Sequence, residues 1–124
     1  FVGLHQYSIL GETDLASVFE RTSRGVRYYS LLGDTDQGYI FAATVQPGFD
    51  DCPYHPPTTE LLVERSDGEY YRSTFEAAIA SDPDWIFITS WNEFGETTHI
   101  EPSEAYGTYY LEMTRELITQ WRGR

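Results

Sequence analysis

The sequence predicts an α/β fold of three consecutive βα units, the C-terminal portion of a (β/α)8 TIM-type barrel. Three observations lead there. Apolar runs of strand length alternate with stretches whose apolar residues recur at helical spacing, in the order β-α-β-α-β-α. The run at residues 39–45 is apolar on both faces, as in a parallel sheet covered by helical crossovers. No Gly-rich phosphate loop follows any run, which counts against a nucleotide-binding sheet. A closed barrel takes eight units and typically about 250 residues. The 124 residues present are therefore read as a single partial barrel domain, 1–124, of a longer chain, with the remainder of the barrel as its partner.

Each element has a local reason. Residues 1–8 read as a strand, with Val2 and Leu4 apolar and His5 and Tyr7 at its end. A turn at residues 11–14 follows, and Thr13 or Asp14 can cap the next helix. Leu15, Val18, Phe19, Thr22, Val26 and Tyr29 give that helix one apolar face, and Gly25 within it is a point where it could bend. Gly33, with Asp34 and Asp36 behind it, ends the helix. The strand at 39–45 stops at Gln46-Pro47-Gly48-Phe49-Asp50-Asp51, where Pro-Gly turns the chain. Pro53, Pro56 and Pro57 predict a long loop. Asp67-Gly68 is a further turn, and Tyr71, Phe75, Ala78 and Ile79 mark a short helix that stops before Asp82-Pro83. A buried strand opens at Trp85. The last helix is predicted from about Tyr106, with Tyr110, Thr114, Leu117, Ile118 and Trp121 on one face.

Composition narrows the function. Twenty acidic residues face eight basic ones, all Arg, for a net charge of −12. That excludes the positive footprint required by nucleic acid or an anionic membrane surface. An acidic surface of this density also suits a high-salt setting. Cys52 is alone, so no internal disulfide forms and the compartment stays open. No apolar run is long enough to span a membrane.

The chemistry gathers where the strands end, as parallel α/β architectures require. Those ends carry His5 and Tyr7, then Asp50, Asp51 and His55, then Asn92, Glu93, Glu96, His99 and Glu101. All three histidines and the only Asn are in this set, which predicts a polar site at one mouth. Glu93 and Glu96 are the central pair. Two neighbouring acids repel, so one tends to hold its proton while the other stays ionised, the division of labour of a glycosidase. Trp91 and Phe94 beside them offer aromatic faces for sugar C–H bonds, or else belong to the core. Asp50 and Asp51 are substrate contacts or turn caps. No close Cys/His spacing supports a metal, no Gly-x-Ser-x-Gly elbow is present, and no cofactor is implied.

These residues carry a resemblance. Ile88-Thr89-Ser90-Trp91-Asn92-Glu93-Phe94-Gly95-Glu96-Thr97-Thr98-His99-Ile100-Glu101-Pro102 resembles the signature of glycoside hydrolase family 99, the endo-acting α-mannosidases and α-mannanases. Val45-Gln46-Pro47-Gly48-Phe49-Asp50-Asp51, the stretch from Arg65 through Tyr71, and Tyr109 through Arg115 extend it over essentially the whole chain. The resemblance implies that Glu93 deprotonates a mannose 2-hydroxyl, which attacks its own anomeric carbon to give a 1,2-anhydro sugar. Glu96 would then be general acid and afterwards general base. Tyr7 would assist near Glu96, and Asp50, His55, Trp91 and Asn92 would contact the oligosaccharide, His55 standing in for a basic residue of the family. Gly95 stands where the hydrolases usually carry His, and Thr97 where they carry Gly. Gly95, Glu101-Pro102 and Tyr106-Gly107 look more like family-99-like relatives encoded with polysaccharide-biosynthesis genes. The alternatives are therefore a glycan-binding or glycosyltransferase-associated domain, or a fragment inactive by itself.

Overall fold

The computed structural model describes residues 3–5, 8–32, 38–51 and 62–124. The order is β1 (Gly3–His5), α1 (Leu15–Leu32), β2 (Ile40–Val45), α2 (Glu69–Ala80), β3 (Trp85–Ile88) and α3 (Tyr109–Arg122). The strands form one parallel sheet in the order β1-β2-β3, with Gly3 opposite Ile40 and Ala42 opposite Trp85. Sequence order and spatial order coincide, as in consecutive strands of a barrel wall.

Side chains alternate across a strand, and here the two faces have different fates. Phe41, Ala43 and Val45 of β2, with Ile86 and Ile88 of β3, pack against the helices. Val18, Phe19 and Val26 of α1 meet them there, as do Tyr71, Phe75, Ala78 and Ile79 of α2 and Tyr110, Met113 and Leu117 of α3. Inside this core the Tyr71 hydroxyl lies 2.9 Å from the Thr114 hydroxyl, and burial pushes its pKa far above the usual tyrosine range. The opposite face carries His5, Ile40, Ala42, Trp85 and Phe87 around an apolar hollow of about 170 Å³. Trp85 is 51% and Phe87 40% exposed. The expectation that this strand is buried therefore fails for these 124 residues. The face that would point into a barrel has no opposing wall here.

Asp14 is the cap of α1. Its carboxylate accepts from the Ser17 amide at 3.0 Å and the Ser17 hydroxyl at 2.7 Å, and these bonds hold its pKa below the usual carboxylate range. The helix runs unbroken through Gly25. The expected end of α1 at Gly33 and the loop around Pro53, Pro56 and Pro57 lie outside the described residues. Before α2, Ser66–Gly68 makes one 3-10 turn, and Gly68 sits at φ 91° in the left-handed region. That angle favours glycine; the nearest atom a Cβ would meet, Met113 Cε at 2.5 Å, is the end of a flexible side chain that can shift. The last helix starts at Tyr109 and not near Tyr106, because residues 103–107 close a tight turn of their own. Its two backbone hydrogen bonds link Ser103 and Gly107 in both directions, at 3.2 and 2.7 Å.

Candidate active site

The acids hang from the end of β3. The Thr89 amide still bonds Val45 O at 2.9 Å, continuing the sheet by one residue, and the Thr89–Ser90 peptide is cis. Residues 90–101 then form a loop that closes on itself. Ser90 is its hinge pin: its amide donates to Thr98 O at 3.0 Å, and its hydroxyl accepts from the Glu93 amide at 2.9 Å. The same hydroxyl lies 2.8 Å from that of Thr98. The Thr98 amide donates to Glu93 O at 3.2 Å, and the Glu101 amide to Trp91 O at 2.8 Å. Residues 98–100 are buried beneath this crown, whereas Trp91, Asn92, Glu93, Phe94 and Glu96 are exposed on it. Trp91 is half-exposed, and Phe94 is partly exposed while its ring stacks on buried His99 at 4.2 Å.

The loop after β2 braces the crown from one side. The Asp50 amide donates to Glu96 O at 2.9 Å, and the Thr97 hydroxyl to Asp50 O at 3.3 Å. Phe49 pairs with Val63 in an antiparallel bridge, which brings residues 62–65 back alongside. Gly48 permits that return: a Cβ there would meet Val63 O at 2.9 Å and Arg65 Cγ at 2.6 Å.

Arg65 fills the space this creates. It is 9% exposed and has no carboxylate partner among the described residues. Its guanidinium lies 4.3 Å from the ring centres of both Tyr106 and Tyr110. One terminal nitrogen donates to Thr97 O at 2.6 Å and His99 O at 2.8 Å, while Nε and the other nitrogen have no acceptor. Each aromatic face offsets the cost of burying this cation by about 1–2 kcal/mol. Among the arginines described, only Arg65 and Arg124 lie outside a helix, which was the signal in the sequence that this one serves another purpose.

His99 does not face the mouth. It is 5% exposed, stacked on Phe94 at 4.2 Å and tilted against Tyr106 at 5.7 Å, with neither ring nitrogen bonded. Burial, and then the nearby Arg65 charge, hold its pKa below 6.5. His5 sits on the inner sheet face against Phe87 at 5.4 Å. The predicted gathering of histidines at one mouth is thus corrected for His5 and His99. One is an inner-wall residue and the other an aromatic spacer. Of the seven residues assigned to the site, Asp50, Trp91, Asn92, Glu93 and Glu96 come together on this rim, while Tyr7 and His55 lie outside the described residues. Among the described residues no group of three His, Cys, Asp or Glu side chains could hold a metal ion, and no helix is long and apolar enough to cross a membrane.

Two consequences can be measured. His99 has a depressed folded pKa, so its contribution is present above about pH 6.5, where the unfolded imidazole is also neutral. It is lost as pH falls below that value, because the unfolded chain takes up a proton that the buried ring resists. Urea unfolding from pH 7.5 to 5 should show wild type losing more stability than His99→Phe, and parallel profiles would refute this. The second concerns Thr97, a β-branched residue at φ 49°. Left-handed backbone costs such a residue about 1–2 kcal/mol. Thr97→Gly should raise stability by about 1 kcal/mol in the same assay, and a loss would count against strain at this position.

The profile of glycosyl hydrolase family 99 matches residues 16–118. The chain belongs to glycosyl hydrolase family 99. It is 38% identical over 72 residues to the rat glycoprotein endo-α-1,2-mannosidase, covering 56% of this chain and 16% of that protein. To the human glycoprotein endo-α-1,2-mannosidase-like protein it is 34% identical over 86 residues, 58% of this chain and 19% of the relative. The solved family 99 endo-α-mannosidase of Bacteroides thetaiotaomicron superposes with a TM-score of 0.80 at 25% identity. That match covers 98% of this chain and 40% of the solved one. This family 99 chain is accordingly a partial barrel. The exposed inner face of β3 is consistent with that.

Proposed function

We propose that the protein containing this chain is a retaining, endo-acting glycoside hydrolase of α-mannosidic linkages, and that these 124 residues are the part of its catalytic domain bearing both acids. The reading rests on family membership and on one observation: Glu93 and Glu96 are exposed on a single loop whose backbone is hydrogen-bonded at both ends and braced by Asp50. Fixed geometry of this kind is what general acid–base work requires. Glu93 takes the proton of the sugar 2-hydroxyl as that oxygen attacks C1. The C1–O bond to the leaving sugar breaks, and Glu96 supplies the proton that the departing oxygen needs. Water then opens the 1,2-anhydro sugar at C1, giving its proton to Glu96, while Glu93 returns its proton to O2. No glycosyl–protein bond forms, unlike the commoner retaining scheme. Trp91 offers a face to the sugar ring, and Asn92 and Asp50 offer polar contacts, with Tyr7 and His55 as further contacts.

The test is turnover of α-1,2-linked mannan fragments by the full-length protein, with Glu93→Gln and Glu96→Gln alongside. The 124-residue chain alone, lacking the rest of the wall, serves as the negative control. Undiminished turnover in both variants would overturn the assignment.

A further inference from the structure

We propose that Arg65 is the positioning residue of the acid-bearing loop, fixing the backbone of residues 97–99 and through it the aim of Glu96. The inference rests on the roles proposed above for Glu93 and Glu96. The crown is tied to the body of the chain at few points. On the side of β2, the Asp50 amide holds Glu96 O at 2.9 Å, and one residue later Arg65 holds Thr97 O at 2.6 Å and His99 O at 2.8 Å. Glu96 is therefore held at its own carbonyl by Asp50 and, at the carbonyls one and three residues later, by Arg65. Thr97 is at φ 49°, a conformation that a threonine leaves readily unless its carbonyl is held.

The donor is itself packed. Tyr106 and Tyr110, whose rings meet edge-on at 5.2 Å, both lie 4.3 Å from the guanidinium. Tyr106 also meets His99 at 5.7 Å, and His99 is stacked on Phe94 at 4.2 Å. A continuous row of rings thus runs from Arg65 to the exposed crown. A guanidinium can lie against both rings while one of its nitrogens donates to two carbonyls; an ammonium is a point charge without that plane. Arg65 touches no reacting atom. Its effect is exerted on the placement of the proton donor, and placement errors near 1 Å are costly to the chemical step.

The test uses the full-length protein with Arg65→Lys and Arg65→Met, on an α-1,2-linked mannan fragment and on the corresponding glycosyl fluoride. Fluoride leaves without a proton, so that substrate bypasses the acid role of Glu96. Both variants should lose roughly 30-fold in kcat/KM on the mannan, through kcat with KM little changed, and less than about threefold on the fluoride. Equal losses on the two substrates would mean general damage and overturn the inference, as would wild-type kinetics on both. If either Arg65 variant fails to fold, Tyr106→Ala removes one of the two rings against the guanidinium from a partly exposed site and should show the same substrate split in weaker form; an unsplit result there also overturns it. Glu96→Gln separates the two ideas. If that variant still cleaves the mannan at wild-type rate, the acid assignment has failed. If it is inactive while Arg65→Lys behaves as wild type, only the positioning role has failed.

Discussion

Glu96→Gln in the full-length protein is expected to lower kcat/KM on α-1,2-linked mannan by about 3–5 kcal/mol of transition-state stabilisation, roughly 10²–10⁴-fold. Its side chain is exposed and its backbone contacts survive the exchange, so the fold should be unaffected. Glu93→Gln should cost about as much, but the two variants differ in kind. With fluoride as the leaving group, kcat/KM of Glu96→Gln should recover to within about tenfold of wild type, because that constant reports only the first step and fluoride needs no acid. Glu93→Gln should stay low on both substrates, since removal of the 2-hydroxyl proton is required whatever departs. Identical behaviour of the two variants on the fluoride would refute the division of roles even if both acids were essential.

Phe75→Ala carries the largest expected effect on stability, a loss of roughly 3–5 kcal/mol. Phe75 is fully buried, and its ring meets Tyr71 edge-on at 5.1 Å. The ring sits where α2 packs on β2, and Tyr71 carries the same contact on to Tyr110 of α3 at 6.0 Å. Truncation would leave a void whose lining cannot collapse, since sheet and helices fix its walls from both sides. Urea unfolding of the full-length protein should show the midpoint falling with little change in slope. A shift below about 1 kcal/mol would mean that this core is not shared by the three helices as described.

The periodicities of the sequence were sufficient for all three βα units, because strand and helix patterns depend on near neighbours and on one buried face. The Asp14 cap and the Glu93–Glu96 crown were legible for the same reason. What escaped depended on distant partners. Trp85 and Phe87 read as core because their residue types say so, yet they are half-exposed among the described residues. The start of α3 slipped from Tyr106 to Tyr109 because two backbone bonds between Ser103 and Gly107 win over helical spacing. His99 read as a polar site residue, but the returning arm of the loop runs underneath the acids and buries whatever it carries. Arg65 stood in plain view within a resembling stretch. Its role comes from two tyrosines some forty positions further on, a relation that no local pattern encodes.

An open three-stranded sheet has two bare edges, whereas a closed barrel has none. Among the described residues the outer sides of β1 and β3 have no neighbouring strand, and such an edge presents a row of backbone donors and acceptors open to a further strand. The crown bearing Glu93 and Glu96 is suspended from one of these borders. Among the described residues its ties to the body run towards β2, through Asp50 and Arg65. On the function proposed above, completing the ring is thus more than a matter of covering apolar rings: a strand beside that border would supply the second bank of the cleft. Under that function, closing the ring and completing the catalytic cleft would be a single event.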